Sequence, residues 1–242
     1  MVCIVLAAGY ATRMYPLTEN FPKPLLDIKG KAILDYLIDD LSSNEKINKF
    51  VIVSNHKFIN HFNDWKTKRK ENIVILDDGS IDNDHRLGAV KDIEFAIKQE
   101  NINDDIIVLA ADNLLDFSLN AFIDYSYIKG SNAVMRYYEE DINKLKRTGV
   151  AVINEEEQII NMEEKPSLPK SNWAIPPFYI FKKEYLKEIE LGISSGCKVD
   201  APGGFIEWFV SRNKVFAYLM PGKRIDIGNL EQYYKLKNKE SI

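Results

Sequence analysis

The stretch Val2-Cys3-Ile4-Val5-Leu6-Ala7-Ala8-Gly9-Tyr10-Ala11-Thr12-Arg13-Met14-Tyr15-Pro16-Leu17-Thr18-Glu19-Asn20-Phe21-Pro22-Lys23-Pro24-Leu25-Leu26-Asp27 decides how the chain is read. Val2 to Leu6 is continuously apolar and partly β-branched, which predicts a strand buried on both faces of a parallel sheet. Ala7-Ala8-Gly9 follows, and small residues let the backbone come close to a ligand. Thr12, Arg13 and Lys23 add a hydroxyl and two fixed cations to what should be a loop. A small-residue turn at the C-terminal end of a strand, with N–H groups and cations nearby, is suited to cradling phosphate. Pro22 and Pro24 flank Lys23 and restrict its backbone. The competing reading is a loop that only connects a strand to a helix.

Outward from this stretch, the first half alternates strand and helix. Ile33, Leu34, Leu37, Ile38 and Leu41 fall on one helical face. Phe50 to Val53 reads as a strand, followed by a polar amphipathic helix to about Lys70. Ile73 to Leu76 reads as a third strand, 77–86 as a polar loop, 87–99 as a helix and Ile106 to Ala110 as a fourth strand. That order predicts an α/β fold with a doubly wound, mostly parallel central sheet flanked by helices. The second half is less regular. Strands are expected at 133–138, 149–154, 159–163, 174–181 and 215–219, and helices at 182–191, 205–212 and 229–239. No internal repeat, low-complexity tract or linker interrupts the chain, so one domain is expected.

The 242 residues are 45% hydrophobic and 28% charged, enough for one large α/β domain. A net charge of −4 gives no sign of a nucleic-acid surface. Two cysteines, Cys3 and Cys197, make neither a disulfide framework nor a cysteine metal site, and point to a reducing cytoplasm. No apolar run reaches membrane-spanning length, and the first strand lacks the basic leader of a signal peptide.

The opening stretch contains neither G-x-x-x-x-G-K-[ST] nor G-x-G-x-x-G. It resembles the opening of the sugar-1-phosphate nucleotidyltransferases, of the glucose-1-phosphate thymidylyltransferase type: L-A-A-G-x-G-T-R, then P-L-T and P-K-P-L-L. Here these stand as Leu6 to Arg13, Pro16-Leu17-Thr18 and Pro22 to Leu26. Ala11 departs, replacing a glycine with a residue that disfavours positive φ. The resemblance continues to about Tyr234. It implies a Rossmann-like fold, a nucleotide-binding half at about 1–130 and a sugar-phosphate-binding half at about 131–242.

The resemblance also assigns roles. Leu6, Ala7, Ala8, Gly9, Tyr10, Ala11, Thr12, Arg13 and Lys23 would hold the nucleotide, and Asn83 and Gly88 would stand at the base-reading loop. Asn83 is shorter than the family's glutamine, and Arg86 and Leu87 depart from it. A solvated surface charge is the plain reading of Arg86. Gly149, Glu164, Lys165, Trp173 and Ile175 would hold the sugar phosphate: a carboxylate accepts hydroxyl protons, and an ammonium suits a phosphate. Trp173 has a competing reading as core.

Asp112, at a strand's carboxyl end, and Asp226, in Arg224-Ile225-Asp226-Ile227-Gly228, would bind Mg²⁺, which takes a few carboxylates plus phosphate oxygens. Each alone also reads as a turn or cap carboxylate. With Arg13 and Lys23, these two form the expected catalytic set. The implied reaction joins an NTP to a sugar-1-phosphate, giving an NDP-sugar and pyrophosphate. Its nucleophile is already ionised, so positioning and charge neutralisation should suffice. The nearest rival is a phosphocholine, or other small alcohol-phosphate, cytidylyltransferase, which would favour an aromatic pocket for a quaternary ammonium. A glycosyltransferase would want D-x-D, which Ala110-Ala111-Asp112 lacks. A non-catalytic NDP-sugar-binding protein would not need Arg13, Lys23 and both aspartates. Nucleotide and sugar phosphate are the expected partners, without nucleic acid or membrane; a homo-oligomer is compatible with the sequence.

Overall fold

The computed structural model describes residues 1–238. Its contacts divide the chain into two compact units, each assembled from separate segments. The first comprises Met1–Arg86, Ala110–Asn120 and the chain from Pro221 onward; the second comprises Leu87–Leu109 and Ala121–Met220.

In the first unit, Val2–Leu6, Lys49–Ser54 and Ile73–Asp77 form a parallel sheet, with Leu6 opposite Val53 and Val53 opposite Leu76. Cys3, Ile4, Val5, Val51, Ile52 and Val53 are all buried, as their unbroken apolar runs require. The helix Ile33–Ser42 buries the five apolar residues that its spacing predicted, and the Asp35 carboxylate accepts from Ala32 N at 2.9 Å at its start. Two short ladders complete the unit. Asp27–Ile28 pairs with Lys31–Ala32, and Asn113–Leu115 pairs antiparallel with Arg224–Asp226. The second ladder joins residues more than a hundred positions apart.

In the second unit, Ile106–Ala110, Phe178–Phe181, Asn132–Tyr138, Trp173–Ile175, Gly149–Ile153 and Ile159–Glu164 pair antiparallel in that order, and Val215–Leu219 adds parallel to Asn132–Tyr138. The α/β class with mixed, helix-flanked sheets is as expected. The three-stranded sheet of the first unit is wholly parallel, and the second unit is antiparallel apart from one parallel pair.

Several element boundaries move. The single strand expected at 174–181 is two, because Pro176 and Pro177 break it and a proline supplies no ladder donor. The helix expected at 205–212 is Pro202–Phe209, with proline in its first turn, where the missing N–H costs nothing. The helix Asn120–Lys129 was not foreseen. Phe122 and Ile123 are buried while Tyr127 and Ile128 are exposed, so its apolar residues make no single stripe. The closing helix is Leu230–Lys237, capped by the Asn229 side chain; Lys239 lies outside the described residues. Both cysteines are free thiols, and among the described residues no helix is long and apolar enough to cross a membrane.

Candidate active site

The first unit contains a cavity of about 420 Å³ lined by Leu6, Ala7, Gly9, Tyr10, Ala11, Thr12, Arg13, Lys23, Asn83, Arg86 and Asp112, among others. It lies at the carboxyl end of the parallel sheet, where ligands of such sheets bind. The opening stretch supplies most of it. Asn55, buried at the end of its strand, donates from Nδ2 to Ala8 O at 3.0 Å and accepts from Phe58 N at 3.0 Å, so the loop is held from below. Sequence reading passed over Asn55; an asparagine directly after a buried strand end was the available signal.

Ala11 adopts φ 48 and ψ 41, the left-handed region that glycine enters freely. Its carbonyl accepts from Met14 N at 2.9 Å and from Thr18 Oγ1 at 2.8 Å, which tie down the turn. An alanine there carries a strain of about 1 kcal/mol. Ala11→Gly should therefore raise the free energy of unfolding by up to about 1 kcal/mol, the gain being reduced by glycine's greater freedom in the unfolded chain. Urea titration of both proteins measures this, and a lower midpoint for the glycine variant would contradict it.

Lys23 is only 8% exposed, and its Nζ donates to Asp112 Oδ2 at 2.7 Å. The other Asp112 oxygen accepts from Asn113 Nδ2 at 3.0 Å, and Asn113 Oδ1 accepts from Arg224 at 2.7 Å. Asp112 is thus fixed by side chains and does not cap a helix. Asp226 stands opposite Asn113 in the ladder, and Ile227 N donates to Asp112 O at 3.3 Å. The two aspartates, remote in sequence, are brought together. Surrounding protein, and then the charge of Asp112, push the Asp226 carboxyl above its ordinary range, against the opposing pull of Arg224, Lys23 and Arg13. Two hard carboxylates that repel one another in the absence of a cation fit a Mg²⁺ ion, which would also leave positions for phosphate oxygens and water.

Of the base-loop residues, Asn83 lines the cavity. Gly88 belongs to the second unit. Its φ is +95, and a Cβ there would lie 2.8 Å from the Val199 carbonyl oxygen, which accounts for a glycine without invoking a nucleobase. Arg86, although exposed, lines the cavity beside Asn83.

In the second unit, Glu164 is held in a slot made by two glycines. A Cβ on Gly203 would lie 2.0 Å from Glu164 Oε2, and one on Gly149 would lie 3.1 Å from it. Glu164 N donates to Glu207 Oε2 at 3.2 Å, and Lys165 Nζ is 3.9 Å from Glu164 Oε1. Burial raises the Glu164 carboxyl above its ordinary range. Ile175 is buried, with its Cβ 3.5 Å from where a Gly149 methyl would sit. Trp173 is half-buried, packing edge-on to the exposed Tyr138 and under the Arg136 guanidinium, 4.4 Å from its ring centre. Gly203 escaped sequence reading because nothing local marks a glycine that yields its side-chain space to a residue thirty-nine positions away.

The model of the family described as "Nucleotidyl transferase" matches residues 2–241. A protein of Sulfolobus acidocaldarius named for mannose-1-phosphate guanyltransferase activity is 32% identical over 96% of this chain and 61% of its own. A glucose-1-phosphate adenylyltransferase of Fervidobacterium nodosum is 29% identical over 97% of this chain and 60% of its own. The chain thus spans about three fifths of the length of these curated relatives. A UDP-glucose pyrophosphorylase solved with UDP-glucose superposes with a TM-score of 0.81 over 98% of this chain and 97% of its own, at 21% identity, and so shares the fold. The match of the family model over nearly all residues, on this fold, establishes that the chain belongs to the nucleotidyl transferase family.

Proposed function

We propose that the protein transfers a nucleotidyl group from an NTP to a sugar-1-phosphate, giving an NDP-sugar and pyrophosphate. The observation that carries this reading is the cavity in which Arg13, Lys23 and Asp112 meet on a small-residue loop, with Asp226 delivered beside Asp112 by the closing ladder. The printed names of the relatives support the same reaction type but differ in base and sugar, so they select neither.

An oxygen of the sugar phosphate attacks the α-phosphorus of the NTP; the bond from that phosphorus to the bridging oxygen breaks, and pyrophosphate leaves with the electron pair. No proton need be removed from a phosphate oxygen that is ionised at neutral pH. The loop from Leu6 to Thr12, with Arg13, holds the outer phosphates. Lys23 offsets charge at the α-phosphate while keeping Asp112 oriented. Mg²⁺ held by Asp112 and Asp226 would neutralise charge on the phosphate chain. Glu164 accepts from sugar hydroxyls, and Lys165 pairs with the sugar phosphate. Catalysis of this type rests on position and electrostatics.

A matrix of nucleoside triphosphates against sugar-1-phosphates and phosphocholine, read by pyrophosphate release with Mg²⁺ and with EDTA, tests the proposal. Release confined to phosphocholine would replace the sugar reading. Tight NDP-sugar binding without release from any pair would indicate a binding protein. Within the matrix, Glu164→Ala should raise KM for the sugar phosphate by about 10- to 100-fold and leave KM for the nucleotide nearly unchanged, because hydrogen bonds to a charged group are worth roughly 1.5–3 kcal/mol. Gly203→Ala should act in the same direction, since its methyl would occupy the space of the Glu164 carboxylate. Equal rises in both KM values would assign Glu164 to structure alone.

A further inference from the structure

Glu207 stands outside the set of residues assigned to the reaction, yet it bonds to the backbone of Glu164. Ile159–Glu164 ends its sheet and pairs on one side with Gly149–Ile153, where Glu164 stands opposite Gly149. A strand at the end of a sheet leaves its outward N–H groups to be satisfied from elsewhere. Glu164 N finds its acceptor in Glu207 Oε2, at 3.2 Å, on the helix Pro202–Phe209. Lys165 N turns the other way and donates to Thr148 O at 3.1 Å. Lys165 itself has φ 52, a left-handed conformation that a residue with a side chain keeps only where its surroundings impose it. Two bonds flank this bend: Thr148 holds it from the sheet and Glu207 holds it from the helix.

The helix is fitted to the bend at two points. Gly203 and Glu207 are four residues apart and lie on the same helical face. Gly203 leaves the space that the Glu164 carboxylate fills, and Glu207 takes the Glu164 N–H. Glu207 is pinned in turn. Lys198 Nζ donates to the same Oε2 at 2.9 Å. The Lys198 backbone sits against the first turn of the helix, where a Cβ on Gly204 would lie 2.3 Å from the Lys198 carbonyl oxygen. Burial is the main cause that raises the Glu164 carboxyl; Lys165 pulls it down, and the charge of Glu207 adds to the rise. A second acid so placed works against ionised Glu164, so charge is not what Glu207 supplies to its neighbour. What it supplies is an acceptor oxygen.

We infer that Glu207 is a positioning residue of the sugar-phosphate site: by accepting from Glu164 N it fixes the bend from which the Glu164 carboxylate and the Lys165 ammonium both project. This rests on the nucleotidyl-transfer reading, in which those two side chains hold the sugar phosphate.

Glu207→Ala and Glu207→Gln separate this role from a structural one. Alanine and glutamine are good helix formers, and the Glu207 side chain is 33% exposed, so the helix is kept in both. The assay uses the nucleotide and sugar-1-phosphate that release the most pyrophosphate. Glu207→Ala should raise KM for the sugar phosphate by about 10-fold, the effect of one hydrogen bond to a charged group, and leave KM for the nucleotide within about twofold of the wild type. Glu207→Gln, whose amide oxygen still accepts from Glu164 N, should stay within about threefold of the wild type for both substrates. An unchanged KM for the sugar phosphate in Glu207→Ala overturns the inference. So do equal rises for both substrates, or a Glu207→Gln protein as impaired as Glu207→Ala. Should Glu207→Ala not fold, Glu207→Leu, which fills more of the same space, is judged by the same criteria. If the wild type releases no pyrophosphate from any pair, the proposed reaction fails. Calorimetric Kd values for glucose 1-phosphate and mannose 1-phosphate then decide the role of Glu207 by the same ratios, and a wild type that binds neither overturns it.

Discussion

Lys23→Met is expected to lower kcat by about 10²- to 10³-fold while the protein stays folded. Methionine keeps the apolar stem that lies buried under the loop and removes only the ammonium. In the wild type, that ammonium donates to Asp112 Oδ2 at 2.7 Å, with the Lys23 side chain 9% and the Asp112 side chain 35% exposed. Its loss removes a charge opposite the transferring phosphate and also frees one oxygen of Asp112. The stability cost should be about 1–2 kcal/mol, below that of a fully buried pair, because water reaches Asp112. Arg13→Ala should show a kinetic loss of similar order with a smaller stability change, since Arg13 is exposed. Single-turnover pyrophosphate release at saturating nucleotide, together with chemical denaturation, measures both quantities. A near-normal kcat in a folded Lys23→Met protein would remove this ammonium from the chemistry.

How far the sequence discloses the molecule depends on whether a signal is local. The first strand and the helix Ile33–Ser42 are legible because their burial follows directly from periodicity over a few residues. The opening stretch is legible because its small residues and cations lie close together in the chain. The Asn113–Leu115 and Arg224–Asp226 ladder is not: three-residue strands have almost no pattern, and their pairing depends on chain closure between distant segments. The Glu164 slot is hidden for the same reason, since Gly149 and Gly203 matter only through the space they leave. The helix Asn120–Lys129 is hidden because its apolar residues are not confined to one face. Arg86 is a different case. Its type and position are plain in the sequence, but only the course of the loop turns a surface charge into a cavity wall.

The closing ladder has its largest consequence at Asp226. Asp226→Asn should reduce turnover by at least about 10²-fold, as expected when a group that helps neutralise a reacting phosphate is lost. Asp112→Asn should do likewise, and the double variant should be little worse than either single, because two ligands of one ion act as a unit. The stability of the metal-free protein should move the other way. Desolvation by neighbouring protein, and then the Asp112 charge, raise the folded-state pKa of Asp226; its side chain is 52% exposed, so water screens the effect and keeps it small, but the folded protein still binds this proton more tightly than the unfolded chain does. The sign follows: ionised Asp226 opposes folding. Its penalty is absent below the unfolded carboxylate pKa, grows as pH rises to the elevated folded value, and is complete above it. At neutral pH in EDTA, Asp226→Asn should therefore melt at a higher temperature than the wild type. That advantage should shrink as pH falls through the same window. With Mg²⁺ and nucleotide the order should reverse, because only the wild type gains from binding the ion between its two carboxylates. Thermal melts at pH 4 to 8, with and without Mg²⁺ and nucleotide, test this apart from activity. A variant that melts lower than the wild type in EDTA at neutral pH would show that the Asp226 carboxylate supports the fold, and the shared-ion account would fail on its own electrostatics.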